Sequence, residues 1–377
     1  MLVSALSPSQ VGLHEYGRFF YDACQKFPNH EFIFASDLNP NINQSVPEKS
    51  NVRVFRAWRY NSPANIFKLI KLARREKPDI VWFNLIVTSF GDRPIAAFLG
   101  LLTPITLRAI GYKTCVTLHH LSDFIEFNDS RFKKSKHIFK IFAAAAEQAL
   151  AFSGPVTLLL DKYVHHFQSK YWRANAVRMH HGFPEFQESV QPNNCKHILV
   201  FGKFGSYKKI EFPIEIFAAL RETDPSWTMT IAGSSHPSYP GYYESFAKSK
   251  TLVPGLEFLS YVPNAELPKL FARSGIVLLP YSSATGVSGV AHLSAVFGVP
   301  VVAANIDDFQ AMQGEEGIGL KLFNQGNLSD AVRVIRDLAQ NDANWQELST
   351  KSLETAQKNS IQNTLGSYIQ LFESIRR

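Results

Sequence analysis

Residues 197–220 have the sequence HILVFGKFGSYKKIEFPIEIFAAL. The apolar run at its start predicts a buried strand over His197–Phe201, and the later apolar residues predict a helix over Phe212–Leu220. In the loop between them, glycines allow the backbone to approach a ligand, and Lys203 and Lys208 bring positive charge. This arrangement predicts a socket for a diphosphate. A solvent-exposed basic loop would have the same composition, and that alternative stays open here.

A second stretch, SSATGVSGV at residues 282–290, is a turn of small residues that enters a helix predicted over Val287–Phe297. The free N–H groups at the start of a helix can bind phosphate. The alternative is a capped helix whose small residues serve packing alone. The run GVPVV at 298–302 then predicts the end of this helix and the start of a buried strand. The residues of the turn that could contact a phosphate are Gly286, Val287, Ser288 and Gly289.

The whole chain of 377 residues alternates short apolar strands with amphipathic helices, which predicts parallel α/β layers. The polar segment QESVQPNNCK at 187–196 predicts a linker between two doubly wound, Rossmann-like domains. We expect residues 1–187 to form the first domain, 188–360 the second, and 361–377 a helix. In such sheets ligands bind beyond the carboxyl ends of the strands, so we expect a ligand in a central cleft between the domains.

Charge is distributed unevenly along the chain. Residues 1–187 contain 23 Lys and Arg against 14 Asp and Glu, whereas the remainder contains 16 against 18. A basic first half indicates an anionic surface or substrate, although a solvated basic face would have the same composition. With 45% hydrophobic residues, the chain is not expected to be disordered.

Three features bear on the compartment. Cys24, Cys115 and Cys195 have neither metal-binding nor redox spacing, which favours a reduced, cytosolic environment, and Cys115 is expected in the core. The first ten residues lack the charged region and the apolar run of a signal peptide. The apolar stretch 95–107 is too short, and too broken by Pro104, to span a bilayer.

Three further segments carry candidate chemistry. His119 follows a predicted strand, where an imidazole could position or accept a proton, or could be a structural histidine. The neighbouring His120 does not make a zinc pair with it, since adjacent residues of an extended segment point to opposite faces. Gly12 begins the helix predicted over Gly12–Gln25 after the first strand and could let donor phosphates approach, but it lacks the GxGxxG spacing of a nicotinamide site.

The segment RFKKSKHIFKIF at 131–142 mixes cations with apolar residues. This composition is typical of a helix at an anionic lipid surface, or of a helix with one solvated and one buried face. Nucleic-acid binding is the weaker interpretation, because the segment matches no RNA-binding motif.

Taken in order, these motifs resemble the retaining GT-B glycosyltransferases of family 4, over nearly the whole chain and more strongly in the second half. The matching segments are Pro78-Asp79-Ile80-Val81, Thr117-Leu118-His119, His180 to Phe183, Gly202-Lys203 with Lys208-Lys209, and Gly298 to Val302. The resemblance implies a GT-B fold and transfer of a sugar from a nucleotide-diphosphate sugar with retention at the anomeric carbon. It also implies that no metal or other cofactor is obligatory, and that the leaving diphosphate is stabilised by protein cations and helix amides.

Two positions depart from that family. It usually has two glutamates eight positions apart before the Gly-x-Pro run, the first contacting the transferred sugar and the second the ribose. Those positions hold Thr285 and Leu293 here. The departure favours backbone amides of the small-residue turn as donor contacts, and it is also what a catalytically inactive member would show.

Three hypotheses follow. The first is a glycosyltransferase acting on a glycan or lipid-linked acceptor, in cell-surface polysaccharide or glycolipid synthesis, cytoplasmic and peripheral at the inner face of the plasma membrane. In it, His119 is the catalytic residue, and Gly12, the two lysines and the small-residue turn bind the donor. The second is a catalytically degenerate GT-B protein that binds a sugar nucleotide or a partner. The third is another GT-B enzyme such as a sugar-nucleotide epimerase.

Overall fold

The computed structural model describes residues 1–9, 12–39, 45–124, 136–186, 191–193, 195–205, 207–236, 238–249, 253–283 and 286–376. Contacts divide the chain into two units. Unit 1 comprises Met1–Gly182 together with Ile361–Arg377, and unit 2 comprises Phe183–Ser360. The division falls after residue 182, a few residues before the predicted linker, of which residues 187–190 and 194 lie outside the described ranges.

The described part of unit 1 contains a parallel sheet in the order β3-β2-β1-β4-β5-β6-β7. Its strands are β1 Leu2–Val3, β2 Phe32–Asp37, β3 Val52–Trp58, β4 Ile80–Leu85, β5 Lys113–Leu118, β6 Val156–Leu158 and β7 Ala176–Arg178. Its helices are α1 His14–Ala23, α2 Asn65–Glu76, α3 Pro94–Leu101, α4 Thr103–Ala109, α5 Lys136–Ala151 and α6 Asp161–Lys170. A last helix, Ile361–Arg376, follows unit 2 in the sequence and also belongs to unit 1.

The described part of unit 2 contains a second parallel sheet, in the order β10-β9-β8-β11-β12-β13. Its strands are β8 His197–Phe204, β9 Thr228–Ser235, β10 Leu256–Leu259, β11 Ile276–Leu279, β12 Val301–Ala304 and β13 Leu320–Phe323. Its helices are α7 Glu211–Thr223, α8 Tyr242–Ser249, α9 Leu267–Ala272, α10 Gly289–Val296, α11 Asp307–Ala311, α12 Leu328–Ala339 and α13 Asp342–Lys358. The last helix of unit 1, Ile361–Arg376, is therefore numbered α14. A π-helical turn, Met312–Glu316, continues α11.

Both sheets confirm the predicted α/β class with two doubly wound halves. In each sheet the strand order reverses beside the first strand of the unit, between β1 and β4 in unit 1 and between β8 and β11 in unit 2. Loops that follow the strands on either side of such a reversal diverge and leave a crevice where ligands bind. The reversal points therefore indicate where in each unit the functional side chains should be sought.

Several elements were not predicted. The apolar stretch 95–107 forms α3 and α4, which break at Leu102 before Pro104. The helices α6 and α8 and the strand β13 were also missed. The first helix begins at His14 rather than at Gly12, because Leu13 has a left-handed backbone conformation with φ 66°. Cys115 is fully buried in β5, as predicted.

The helix α14 completes the core of unit 1. Its Tyr368 is fully buried and packs on Trp82, with ring centroids 4.2 Å apart. The Tyr368 hydroxyl lies 2.8 Å from Thr117 Oγ1 and 3.1 Å from Thr157 Oγ1, so it bridges β5 and β6 from the side of the helix. A buried hydroxyl must find such partners, since leaving it unbonded costs free energy.

Replacing Tyr368 by Phe removes this hydroxyl and leaves the ring packing. We expect the free energy of unfolding of unit 1 to fall by about 1 kcal/mol, because the two threonine hydroxyls lose one shared partner but keep each other. Hydrogen exchange of the β5 amides measures this. Tyr261→Phe, on a side chain that is exposed, is the control and should change nothing. Equal protection in both variants would contradict the bridging role.

Candidate active site

In unit 2, two glycines face each other on adjacent strands. Gly202 on β8 pairs in register with Gly233 on β9, and both have positive φ, 139° and 146°. A Cβ on Gly233 would lie 1.8 Å from the Gly202 carbonyl oxygen, so no side chain fits there. Glycine at this point lets β8 and β9 stay paired up to Phe204 and Ser235.

Lys208 returns to this point through a tight turn. Gly205 and Lys208 exchange backbone hydrogen bonds of 2.9 and 3.0 Å. The Lys208 Nζ then lies 3.7 Å from the place that a Cβ on Gly202 would occupy, and Val290 Cγ2 of α10 lies equally close to it. The ammonium group is therefore held beside the first turn of α10, at the strand-order reversal.

Aromatic rings support the Lys208 ammonium. It lies 4.7 Å from the ring centroid of Tyr281 and 5.6 Å from that of Tyr207, where the ring faces attract a cation. No carboxylate oxygen of the described residues lies within 4.0 Å of its Nζ. Burial raises the pKa of Tyr281, against a smaller opposing effect of Ser288, so its hydroxyl stays protonated at neutral pH. Among the described residues, no carboxylate forms an ion pair with Lys208, so its positive charge is available to a ligand.

Lys203, the other predicted cation, has a different setting. It lies on β8 one residue after Gly202, and its side chain is exposed, whereas the following Phe204 is buried and stacks on Tyr243. Since side chains alternate along a strand, Lys203 projects away from the Phe204 side. Lys208 is therefore surrounded by aromatic rings and the start of α10, whereas Lys203 lies on the surface.

The small-residue turn before α10 is anchored by the segment behind it. The Gly286 N–H donates to Asp308 Oδ2 at 3.1 Å, and the Ser288 N–H donates to Met312 Sδ at 3.4 Å. The Ser288 hydroxyl caps α10 by accepting from the Ala291 N–H. Two of the four predicted donor contacts, Gly286 and Ser288, therefore already have their amides engaged within the protein.

Other amides of the same turn remain available. Within the described ranges, the N–H groups of Val287, Gly289 and Val290 meet no acceptor. They belong to the turn and to the first residues of α10, where the helix dipole adds partial positive charge. Together with the Lys208 ammonium they make an anion-binding environment. Val290 was not among the predicted contacts.

In unit 1, His119 follows β5 and its side chain is buried. Its Nε2 lies 2.6 Å from Asn84 Oδ1, at the end of the neighbouring strand β4. The Asn84 amide nitrogen donates to Ser4 Oγ at 3.0 Å, so the Asn84 oxygen is the accepting atom. This network assigns the hydrogen of His119 to Nε2 and makes Nδ1 an acceptor.

The surroundings of His119 keep it neutral. Burial lowers its pKa to about 3, with a smaller contribution from His120, whose own pKa burial lowers to about 4. The Tyr16 ring packs edge-on against His119 at 4.8 Å and lies 4.5 Å from the His181 ring. An imidazole with so low a pKa is a weak base at neutral pH, so the geometry favours a hydrogen-bond acceptor over a proton-transfer group.

Two other features shape this part of unit 1. Gly12 is exposed before α1, and a Cβ there would lie 3.0 Å from Ile86 Cδ1, just after β4. Three residues after His119, Ser122 donates its N–H and hydroxyl to the buried Glu147 carboxylate at 2.6 and 2.9 Å. Burial raises the pKa of Glu147. Sequence reasoning missed Asn84 and Glu147, because neither belongs to a recognisable motif.

Thr285 and Leu293 occupy the two positions where the resemblance expects glutamates. Thr285 lies outside the described residues, and Leu293 lies half-buried on α10. In the residues that the structure describes, no three His, Cys, Asp or Glu side chains group as metal ligands. No described helix is long and apolar enough to cross a membrane.

The comparisons with known proteins agree with this architecture. Residues 195–341, within unit 2, match the family model described as glycosyl transferases group 1. GDP-mannose:cellobiosyl-diphosphopolyprenol alpha-mannosyltransferase of Komagataeibacter xylinus is 21% identical over 192 residues, 50% of this chain and 48% of that protein. An uncharacterized glycosyltransferase of Haemophilus influenzae is 26% identical over 161 residues, 42% of this chain and 43% of that one. The chain thus spans about half the length of the curated relatives it matches.

Solved structures resemble the chain over nearly all of its length. Sucrose-phosphate synthase from Thermosynechococcus elongatus has a TM-score of 0.74 at 14% identity, covering 99% of this chain and 98% of that one. HepE from Anabaena, in complex with UDP, has a TM-score of 0.68 at 13% identity with the same coverage. The chain has the GT-B fold of these glycosyltransferases.

The buried neutral state of His119 makes stability depend on pH. The pKa of His119 is 6.5 in the unfolded chain and about 3 in the folded chain. Below pH 6.5, protons therefore bind the unfolded state in preference to the folded state. The contribution of neutral His119 to the free energy of unfolding is fully present above pH 6.5 and is lost as the pH falls toward 3.

We expect His119→Gln to remove this dependence. Between pH 7.5 and 5, the variant should lose about 2 kcal/mol less unfolding free energy than the unsubstituted protein, measured by urea denaturation at the two pH values. The exposed His137→Gln is the control and should lose as much as the unsubstituted protein. The same pH dependence in all three proteins would mean that His119 is not held neutral by burial.

Proposed function

We propose that this protein is a retaining glycosyltransferase that moves a sugar from a nucleotide-diphosphate sugar to a glycan or lipid-linked acceptor. The observation that carries the proposal is the Lys208 ammonium, which pairs with no described carboxylate and lies near the Val290 side chain at the start of α10, where the N–H groups of Gly289 and Val290 meet no described acceptor. Its support is the match of unit 2 to glycosyl transferases group 1 and the UDP complex of the similar HepE. Unit 2 is then the donor-binding domain, and unit 1, with residues 361–377, the acceptor-binding domain.

In the proposed reaction, the bond between the anomeric carbon and the diphosphate oxygen breaks, and its electron pair goes to the diphosphate. An acceptor hydroxyl attacks the anomeric carbon from the same face, and its proton goes to the leaving diphosphate. Lys208 and the amides of α10 stabilise the charge that develops there, since fixed dipoles and cations lower such a barrier. His119 accepts a hydrogen bond from the transferred sugar through Nδ1. No metal is required by this scheme.

Binding of nucleotides tests the donor site. We expect one of UDP, GDP, ADP or TDP to bind with a calorimetric Kd in the micromolar range, and Lys208→Ala to weaken it at least tenfold, because a charge-assisted contact is lost. Lys203→Ala should weaken it less, given its exposed position. Lys269→Ala, also exposed, is the control. Unchanged affinity in Lys208→Ala would overturn the assignment of the diphosphate site.

A second candidate is a catalytically degenerate GT-B protein that binds a sugar nucleotide. The observation that favours it is Leu293, an apolar side chain at the position where the resemblance expects a ribose-binding glutamate. Turnover distinguishes the two proposals. Release of nucleoside diphosphate from the bound sugar nucleotide, with or without an acceptor, supports the enzyme, whereas tight binding without release supports the degenerate protein.

We further propose that the enzyme is cytoplasmic and acts at an anionic membrane surface, in cell-surface polysaccharide or glycolipid synthesis. Three large apolar side chains on neighbouring helices of unit 1 are exposed: Phe67 on α2 (73%), Ile95 on α3 (65%) and Ile141 on α5 (66%). On α2, the exposed Lys71 and Arg74 follow Phe67 at positions that share one helix face. Exposed cations beside apolar side chains favour anionic lipid. Most of the basic segment 131–142 lies outside the described residues.

Sedimentation with vesicles tests the membrane surface. We expect binding to vesicles that contain phosphatidylglycerol at low salt, and a severalfold loss on replacing Phe67, Ile95 and Ile141 by Ser, because the buried apolar area disappears. Tyr261→Ser, an exposed aromatic of unit 2, is the matched control. Absence of binding by the unsubstituted protein at low salt would refute the proposal.

A further inference from the structure

A buried histidine and a buried glutamate meet behind the first turn of α10. His292 lies on α10, and Glu316 ends the π-helical turn that continues α11. Both side chains are 1% exposed, and His292 Nε2 lies 3.3 Å from Glu316 Oε2. The Phe183 ring covers the imidazole, with centroids 4.5 Å apart. Neither residue belongs to the diphosphate site described above.

The contacts of the imidazole fix how many protons the pair contains. His292 Nδ1 lies 2.8 Å from the Ser288 carbonyl oxygen, which can only accept, so Nδ1 carries a hydrogen. A neutral ring would then present the lone pair of Nε2 to a carboxylate oxygen, and two acceptors would face each other. Within the described ranges neither Glu316 oxygen has a partner at hydrogen-bond geometry, the nearest polar group is His292 Nε2 at 3.3 Å, and an isolated buried carboxylate is costly. One further proton on the pair turns the two facing acceptors into a donor and an acceptor.

We propose that His292 and Glu316 share one proton, and that the pair positions the turn from Gly286 to Gly289 for donor binding. The proposal rests on the donor site proposed above and adds two positioning residues to it.

The α11 segment and its π-helical turn contact this turn at three points. Asp308 accepts from the Gly286 N–H, and Met312 accepts from the Ser288 N–H. Glu316 holds His292, which in turn holds the Ser288 carbonyl. With both the N–H and the C=O of Ser288 fixed from one side, the adjacent N–H groups of Val287 and Gly289 are left for a ligand.

Substitutions at Glu316 separate a shared proton from simple packing. In Glu316→Gln, the side-chain amide donates to Nε2 of the neutral imidazole, so the contact survives without the extra proton. In Glu316→Ala the contact is lost. We expect the Kd for the nucleotide that binds, chosen from UDP, GDP, ADP and TDP, to stay within about threefold in Glu316→Gln and to rise about tenfold or more in Glu316→Ala, since small misplacements of binding groups are expensive.

Leu338→Ala is the stability control, because Leu338 is buried in the core of unit 2 on α12 and should lower Tm without changing the Kd. An unchanged Kd in Glu316→Ala, with a lowered Tm as in Leu338→Ala, would overturn the positioning role. A Kd as weak in Glu316→Gln as in Glu316→Ala would overturn the claim that a hydrogen-bonded contact to Nε2 is enough to position the turn.

NMR of the histidine ring nitrogens needs no nucleotide and keeps this test separate from the proposed function. In the unsubstituted protein, the Nε2 of His292 should have the shift of a nitrogen that shares a proton. In Glu316→Gln it should move to the shift of an unprotonated nitrogen, while Nδ1 stays protonated. If no nucleotide binds but these shifts are seen, the donor site fails and the proton-sharing pair stands. An unprotonated Nε2 in the unsubstituted protein would overturn the pair itself.

Discussion

The contact between the Gly202 carbonyl and Gly233 determines the geometry of the candidate site in unit 2. A Cβ at Gly233 would not fit beside the Gly202 carbonyl. Because glycine has no Cβ, β8 and β9 remain paired to their ends, and the chain can fold back within a few residues. That return brings the Lys208 ammonium to the start of α10 and over the Tyr281 ring. A side chain at Gly233 would clash with the Gly202 carbonyl and separate the strands. The position of the Lys208 ammonium therefore depends on this steric constraint between the two strands.

The two units offer different chemistry to a ligand. Unit 2 provides a cation and open amides, which suit a diphosphate. Unit 1 provides a neutral imidazole whose hydrogen is fixed on Nε2 by Asn84, and which suits an uncharged hydroxyl. In both units the ligand-facing groups are held by buried polar side chains one layer further back, Asn84 in one case and Asp308 in the other. Such support is what keeps a binding group in place without help from the ligand.

The sequence predicted the sheets well and the supporting residues poorly. Apolar runs such as residues 198–201 and 276–279 mark buried parallel strands directly, since both faces are covered. The glycine and lysine residues of the loop after β8 were singled out from their chemistry, and their role in donor binding stays a prediction. Asn84, Glu147 and Glu316 were not, because the sequence around each shows no motif and its partner lies 24 to 35 residues away in the chain. The small-residue turn was found, but composition could not tell which of its amides face inward.

The last helix has a consequence for how the protein is made. Unit 2 is one continuous stretch of chain, Phe183–Ser360, whereas the core of unit 1 lacks Tyr368 and its neighbours until α14 has been synthesised. On the ribosome, the second unit can therefore finish folding before the first, reversing the usual order from the N-terminus. Until then, the apolar surface around Phe20 and Trp82, which α14 covers, stays open to water and to chaperones. Synthesis of α14 and closure of this core are thus coupled events.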